Sequence, residues 1–306
     1  LERAPIDRPL PTGVSVLDSF LTLGRGQRMG IFAGSGVGKS TLLADIAKTT
    51  LSTVNVIALV GERGREVGHF IEEALGKEGL ARSVVIVATS DSPALLRMKA
   101  AFTAAAVAEY FRDRGHDVMM MVDSVTRLAA AAREAGLALG EPPTVKGYPP
   151  SFFALMPRLV ERLGRTQKGS ITGLFTVLVD GDDLNDPVAD TLRGLLDGHV
   201  VLSREIAQRG MFPAVDVPKS VSRVMDKVVS TEHLTAARAA RSLISAFEAS
   251  RDLVAIGAYK SGTDVRTDRA LAAWPAIESL LRQEHGQPRT FEESLNLLEA
   301  CVEEGA

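Results

Sequence analysis

Three groups of residues in this chain have the types and spacing that phosphate chemistry needs. The first is Ala33-Gly34-Ser35-Gly36-Val37-Gly38-Lys39-Ser40-Thr41. Its glycines let successive backbone N–H groups close on phosphate oxygens, Lys39 supplies a point charge for β and γ phosphates, and the Ser40 hydroxyl is placed to ligate Mg²⁺. A helix starting at its end adds a partial positive charge. Gly34 through Thr41 are therefore the predicted cradle for a nucleoside triphosphate. The strict pattern has Gly where Ala33 stands, but a methyl group is small. A Gly-rich strand-to-helix turn without a ligand is the plain competitor, and Gly38-Lys39-Ser40 between an apolar run and a helical pattern speaks against it.

Hydrolysis needs a second magnesium-orienting group and something that positions water. Asp123 ends the run Val118-Met119-Met120-Met121-Val122, so its carboxylate emerges at the carboxyl end of a buried strand, where ligands bind in sheets of this kind. It is the candidate magnesium-side carboxylate; capping the helix that begins at Val125 is a compatible second role. The methionines read as core. The third group is Gly61-Glu62-Arg63-Gly64-Arg65-Glu66, directly after the apolar strand Val54–Val60. Glu62 there could orient an attacking water, with Arg63 or Arg65 offsetting its charge. From spacing alone, a solvated charge cluster at a helix start fits equally well.

These groups must be held by a sheet. Short apolar segments (Met29–Phe32, Val54–Val60, Val84–Ala88, Val118–Val122, Leu174–Val179, Val200–Leu202) alternate with helical patterns (Thr41–Lys48, Glu66–Leu75, Pro93–Phe111, Val125–Ala135, Phe152–Leu163). That is how a mostly parallel sheet flanked by helices reads. Residues 136–151 are rich in Gly, Pro and Thr and form a long connection, a length often associated with function. Asp180-Gly181-Asp182-Asp183-Leu184-Asn185-Asp186-Pro187 lacks the ligand spacing of a calcium loop and reads as turn chemistry with helix capping. From about Lys227 only helices follow: Glu232–Ser250, Asp268–Glu284 and Phe291–Glu303, with Trp274-Pro275 expected at a helix junction. The predicted fold is thus α/β over residues 1–228, with a small helical domain over 229–306.

Composition narrows the class. No apolar run approaches the ~20 residues that a membrane-spanning helix requires. A single cysteine, Cys301, excludes an internal disulfide, fits a reducing compartment and reads as a packing residue. A net charge of −3 and an aromatic content of 5% argue against a nucleic-acid partner.

Taken in order, Pro9-Leu10-Pro11-Thr12-Gly13, Gly24-Arg25-Gly26-Gln27-Arg28, the phosphate loop, Gly61 to Glu66, Asp123-Ser124-Val125-Thr126-Arg127, Gly147-Tyr148-Pro149-Pro150-Ser151, Gly181 to Pro187 and Ser220-Val221-Ser222-Arg223 resemble one family. It is that of the flagellar protein-export ATPase and its type III secretion relatives, similar in turn to rotary ATP synthase catalytic subunits. The resemblance spans nearly the whole chain and implies a RecA-like P-loop fold that hydrolyses ATP with Mg²⁺. It makes Glu62 the catalytic glutamate, sets Arg63 near the phosphates and gives Asp123 the magnesium-side position, with Ser40 as the other metal ligand. The aromatic that stacks on adenine falls at Phe212, in Arg209-Gly210-Met211-Phe212-Pro213-Ala214, where losing the hydroxyl of the family's Tyr costs little. The arginine that reaches a neighbouring subunit's nucleotide falls at Arg223, with Arg204 competing for that role.

The resemblance also implies a hexameric ring on the cytoplasmic face of the inner membrane, with peripheral membrane contact only. Its implied partners are a stator, a stalk and chaperone–substrate complexes, with no direct nucleic acid. Family members carry an N-terminal β-barrel before the region of Leu10-Pro11-Thr12-Gly13, so the chain is expected to hold the catalytic and C-terminal parts and to be mostly monomeric without the barrel. Two other readings are a rotary or vacuolar-type subunit, which Gly64 and Arg65 fit less well, and a hexameric RNA helicase, which RNA-stimulated turnover would reveal.

Overall fold

A computed structural model describes residues 3–179 and 186–305. Eight strands form one sheet: β1 Arg28–Ala33, β2 Val54–Val60, β3 Ser83–Ala88, β4 Asp117–Asp123, β5 Gly164–Arg165, β6 Ser170–Leu178, β7 Gly198–Leu202 and β8 Val221–Ser222. The order is β3-β2-β4-β6-β1-β7-β8, with β5 paired to β6. All pairs among the six longer strands are parallel, whereas β5 and β8 join antiparallel. Each expected strand is present, most of them a residue or more longer at one end or both. The two-residue strands β5 and β8 carry too few side chains to show a period and were not expected.

The helices are α1 Ser15–Phe20, α2 Lys39–Thr49, α3 Gly64–His69, α4 Gly76–Ala81, α5 Ala94–Arg112, α6 Val125–Ala138, α7 Pro150–Val160, α8 Pro187–Leu195, α9 Arg204–Gln208, α10 Met225–Val228, α11 Thr231–Ala255, α12 Val265–Leu281 and α13 Phe291–Glu304. The expected helix over Glu66–Leu75 is α3 followed by a π-helical turn, Phe70–Leu75. α7 starts at Pro150, two residues ahead of expectation, with the proline at its first turn, where no N–H is needed. Most of the expected turn-and-cap segment, residues 180–185, lies outside the described residues. Asp186 does cap α8, accepting from the Val188 N–H at 2.9 Å.

Both faces of the sheet are covered, which is why its strands are near-continuously apolar. Period-two alternation still sorts them. Ile57, Leu59, Met119 and Met121 face a core shared with α1 and α2, while Val56, Ala58, Val60, Met120 and Val122 face one filled by α5 to α8. In the second core Ala100, Ala101, Ala104, Ala105 and Ala108 are buried, so α5 lies close on the sheet. The first core runs without a break into the C-terminal helices, where Ala273, Ile277, Leu298 and Cys301 join Leu43 and Ile46. Burial pushes the Cys301 thiol up to about 12, as suits a packing residue.

Trp274 and Pro275 do not mark a helix junction. Both lie inside α12, and the indole stacks on Phe247 of α11 with ring centroids 3.5 Å apart. The aromatic contact joins two neighbouring helices, and Trp-Pro resembles a junction only when the sequence is read without its partner.

Candidate active site

The phosphate loop leaves the carboxyl end of β1 and enters α2 at Lys39. Gly36 and Gly38 take left-handed φ values of 78° and 93°, which side-chain-bearing residues rarely adopt. An added Cβ on Gly38 would also stand 3.6 Å from the Phe212 ring. Lys39 Nζ donates to Asp123 Oδ1, and Asp123 also accepts from Thr176 Oγ1 of β6 at 2.8 Å. Asp123 is 3% exposed. It is not the helix cap: Ser124 fills that place, its Oγ accepting from the Arg127 N–H. The carboxylate of Asp123 is therefore left for the lysine and the cavity beyond it.

Glu62 emerges two residues past β2 and is buried. Arg127 Nε, one turn into α6, donates to its Oε1 at 3.0 Å. Gly61 makes this approach possible, because a Cβ there would stand 2.9 Å from that of Arg127. The Glu62 carboxyl is pushed up to about 7, chiefly by burial, then by a hydrogen bond with Glu66 and by the charge of Asp123; Lys39 and Arg127 oppose this less strongly. A cavity of about 480 Å³ brings together Gly34, Ser35, Gly36, Lys39, Ser40, Thr41, Glu62, Arg63, Glu66 and Arg127. Arg63 itself is largely solvated and pairs with Glu66 at 3.3 Å. A neighbouring cavity joins Ser40, Glu62, Arg65 and Asp123.

On the other side of the loop, about 470 Å³ opens between Val37, Gly38, Thr41 and Phe212 and the segment Arg282–His285 that follows α12. Phe212 is 45% exposed, its ring free to take a flat partner. The Gln283 N–H donates to the Phe212 carbonyl at 2.8 Å, and His285 Nδ1 lies 2.7 Å from Asp45 of α2.

Arg223 and Arg204 stand apart from this site. Arg223 follows β8, whose Ser222 pairs with Gly198 at the start of β7, while Leu202 at its end pairs with Ala33 before the phosphate loop. Four strand residues place Arg223 about 13 Å from the loop, toward the opposite end of the sheet. Arg204 is exposed at the start of α9. Sequence reasoning passed over Arg127, Glu66, Thr176 and Gln283. Arg127 entered the sequence reading only as the last residue of the string Asp123-Ser124-Val125-Thr126-Arg127, with no role of its own.

Residues 13–222 match the model of the ATP synthase alpha/beta family nucleotide-binding domain, and residues 229–300 match the T3SS EscN ATPase C-terminal domain. The chain belongs to the flagellar and type III secretion branch of the ATP synthase alpha/beta family. It is 58% identical to the flagellum-specific ATP synthase of Bacillus subtilis over 97% of its own length and 68% of that protein. It spans about two thirds of the curated relatives it matches. The structure of the assembled ATPase EscN from the enteropathogenic E. coli type III secretion system superposes with a TM-score of 0.94 at 48% identity, covering 98% of this chain and 73% of EscN. EscN in complex with its central stalk EscO gives 0.92 at 46%, covering 99% and 74%. The fold is the RecA-like P-loop architecture with a helical C-terminal part, and the branch consists of ATPases. Among the described residues no helix of this chain is long and apolar enough to cross a membrane.

Proposed function

We propose that this chain is the Mg²⁺-dependent motor of a flagellar or type III export apparatus, hydrolysing ATP between subunits of a homo-oligomeric ring. The observation that carries the reading is the convergence of two acid–cation pairs, Lys39 with Asp123 and Arg127 with Glu62, on two adjoining cavities beside the phosphate loop. Ser40 and Asp123 offer Mg²⁺ a hydroxyl and a carboxylate, hard oxygen donors of the few that this ion takes from protein when phosphates and water complete its shell. When bound there, the ion would neutralise charge on the transferring phosphoryl group. Lys39 exchanges part of its contact with Asp123 for the triphosphate, and Glu62, oriented by Arg127, takes a proton from the attacking water. Phe212 holds adenine by stacking. Arg63 adds positive charge at the cavity mouth, and Arg223 serves the nucleotide of a neighbouring subunit.

The ring, the stalk, stator and chaperone–substrate partners, and a place on the cytoplasmic face of the inner membrane follow from kinship with the export branch, as does a division into residues 1–228 and 229–306. Glu62→Gln tests the chemistry. The amide keeps the shape but is no base, so ATP affinity by fluorescence titration should hold while kcat falls roughly a hundredfold or more. A variant turning over at the parent rate would remove Glu62 from its role.

A further inference from the structure

Arg223 has company at its end of the sheet. Its Nη2 donates to the Arg193 carbonyl at 3.3 Å and its Nη1 to the Leu196 carbonyl at 3.4 Å, so the guanidinium rests on the carboxyl end of α8. His199 of β7 lies close by, edge-on to Phe32 with ring centroids 5.8 Å apart and its Nε2 3.1 Å from the Lys219 carbonyl. Its imidazole is held below the ordinary range by burial first and then by the charges of Arg193 and Arg223, against the bond to Lys219. Three basic groups therefore share one edge. Asp197, two residues before His199, is taken by Arg28 at 3.0 Å.

The polar accounting singles out Arg193. Three arginines among the described residues have a buried Nε with no hydrogen-bond partner: Arg25, Arg193 and Arg209. Arg25 is paired with Asp117 and Arg209 with Glu248, so each guanidinium has its counter-charge within the chain. Arg193 has no such carboxylate among the described residues. The buried Nε of Arg193 is a donor without a partner, which costs stability unless a partner arrives from outside. Arg193 and Arg223 both bear by charge on His199, and two arginines at one edge are suited to phosphate oxygens.

We infer that Arg193 is a second trans-acting arginine, which with Arg223 forms a two-guanidinium face that grips the terminal phosphates of the nucleotide held by the neighbouring subunit. The inference rests on the ring reading proposed above. In the ring proposed above, this edge would face the nucleotide on the next subunit's phosphate loop, and its phosphates would supply the anion that Arg193 lacks. One arginine stabilises charge on the transferring phosphoryl group while the other fixes its orientation.

The test uses Arg193→Gln, Arg193→Lys and Arg223→Gln, each alone and mixed with Lys39→Ala, which keeps both arginines but lacks the phosphate-loop cation. Work is done where specific activity of the parent has reached its plateau with protein concentration, and sedimentation velocity follows assembly. Arg193→Gln should lower kcat about tenfold, the worth of one charge-assisted hydrogen bond, with unchanged affinity for a fluorescent ATP analogue. Arg193→Lys should recover part of the loss. Mixing Arg193→Gln with Lys39→Ala should give more activity than the two proteins summed, because some interfaces then combine an intact loop with intact arginines. Parent-level kcat in Arg193→Gln alongside an impaired Arg223→Gln overturns this inference and leaves the ring reading standing. Loss in Arg193→Gln that mixing does not restore, when the Arg223→Gln loss is restored, makes Arg193 a structural residue and overturns it too. Should Arg193→Gln fail to fold, the same comparison with Arg193→Lys decides. Activity independent of protein concentration, with Arg223→Gln at the parent rate, brings down the ring reading itself.

Discussion

The two ends of the sheet are built on opposite electrostatic plans. At the carboxyl ends of β1, β2 and β4 the cations meet acids of the same chain: Lys39 meets Asp123, Arg127 meets Glu62 and Arg63 meets Glu66. At the β7–β8 edge, Arg223 reaches only backbone carbonyls, and Arg193 leaves a buried Nε without a partner. A self-neutralised site can fold and bind alone. An edge whose arginines lack acids of their own chain would be completed from outside in the ring proposed above, so the contrast separates what a single subunit does from what a ring would add.

The sharpest way to break the comparison is to remove the unpaired end. Arg223→Ala should bind ATP as the parent does yet hydrolyse it some tens of times more slowly at every protein concentration, within the large span reported by arginine fingers in phosphoryl transfer. Parent specific activity should rise with concentration toward a plateau. Equal turnover in parent and variant would make Arg223 an ordinary cap on the carboxyl end of α8.

The paired end is probed by pH. Glu62 must be ionised to accept a proton, and its carboxyl is raised to about 7, so kcat/KM should fall about tenfold on going from pH 8 to pH 6. Stability runs the other way. Between the ordinary carboxyl range and about 7 the folded chain holds a proton that the unfolded chain has released, so stability is lost as pH rises through that window. Glu62→Gln should therefore be more stable than the parent at pH 8, by about 1–3 kcal/mol in denaturant titrations. A flat pH profile over this range would show that another group limits the reaction.

The smallest effect belongs to the base. Phe212→Ala should raise the Michaelis constant about fivefold, near 1 kcal/mol of lost aromatic contact, with little change in turnover. An unchanged constant would place adenine elsewhere than the cavity between Phe212 and Arg282–His285.

Much of this was legible in the residues. The phosphate loop is read from the contiguous positions Gly34 to Thr41, because glycine freedom and the Lys-Ser pair act locally. Asp123 was legible because a strand ending in a carboxylate places it at the ligand end of any parallel sheet. Its capping role was misassigned by one residue: Ser124 accepts the bond, a choice made by the local backbone. Arg127 and Thr176 were not legible, since their partners lie 65 and 53 residues away. Trp274 shows the same blindness, its stacking partner being Phe247 on another helix.

What the sequence determined by itself is therefore the local chemistry: a strand, a left-handed glycine turn, a lysine and a hydroxyl at a helix start, and the alternation of strand and helix that makes the sheet parallel. Each of these follows from φ preferences, side-chain period and burial within a few residues. The tertiary structure alone decided which charges meet. Glu62 gains a raised proton affinity because α6 and the phosphate loop close around it, and the Nε of Arg193 is buried with no partner among the described residues. Burial and Coulomb terms depend on distance in space, and distance in space is fixed only when β1, β2, β4 and β7 have taken their places in the sheet.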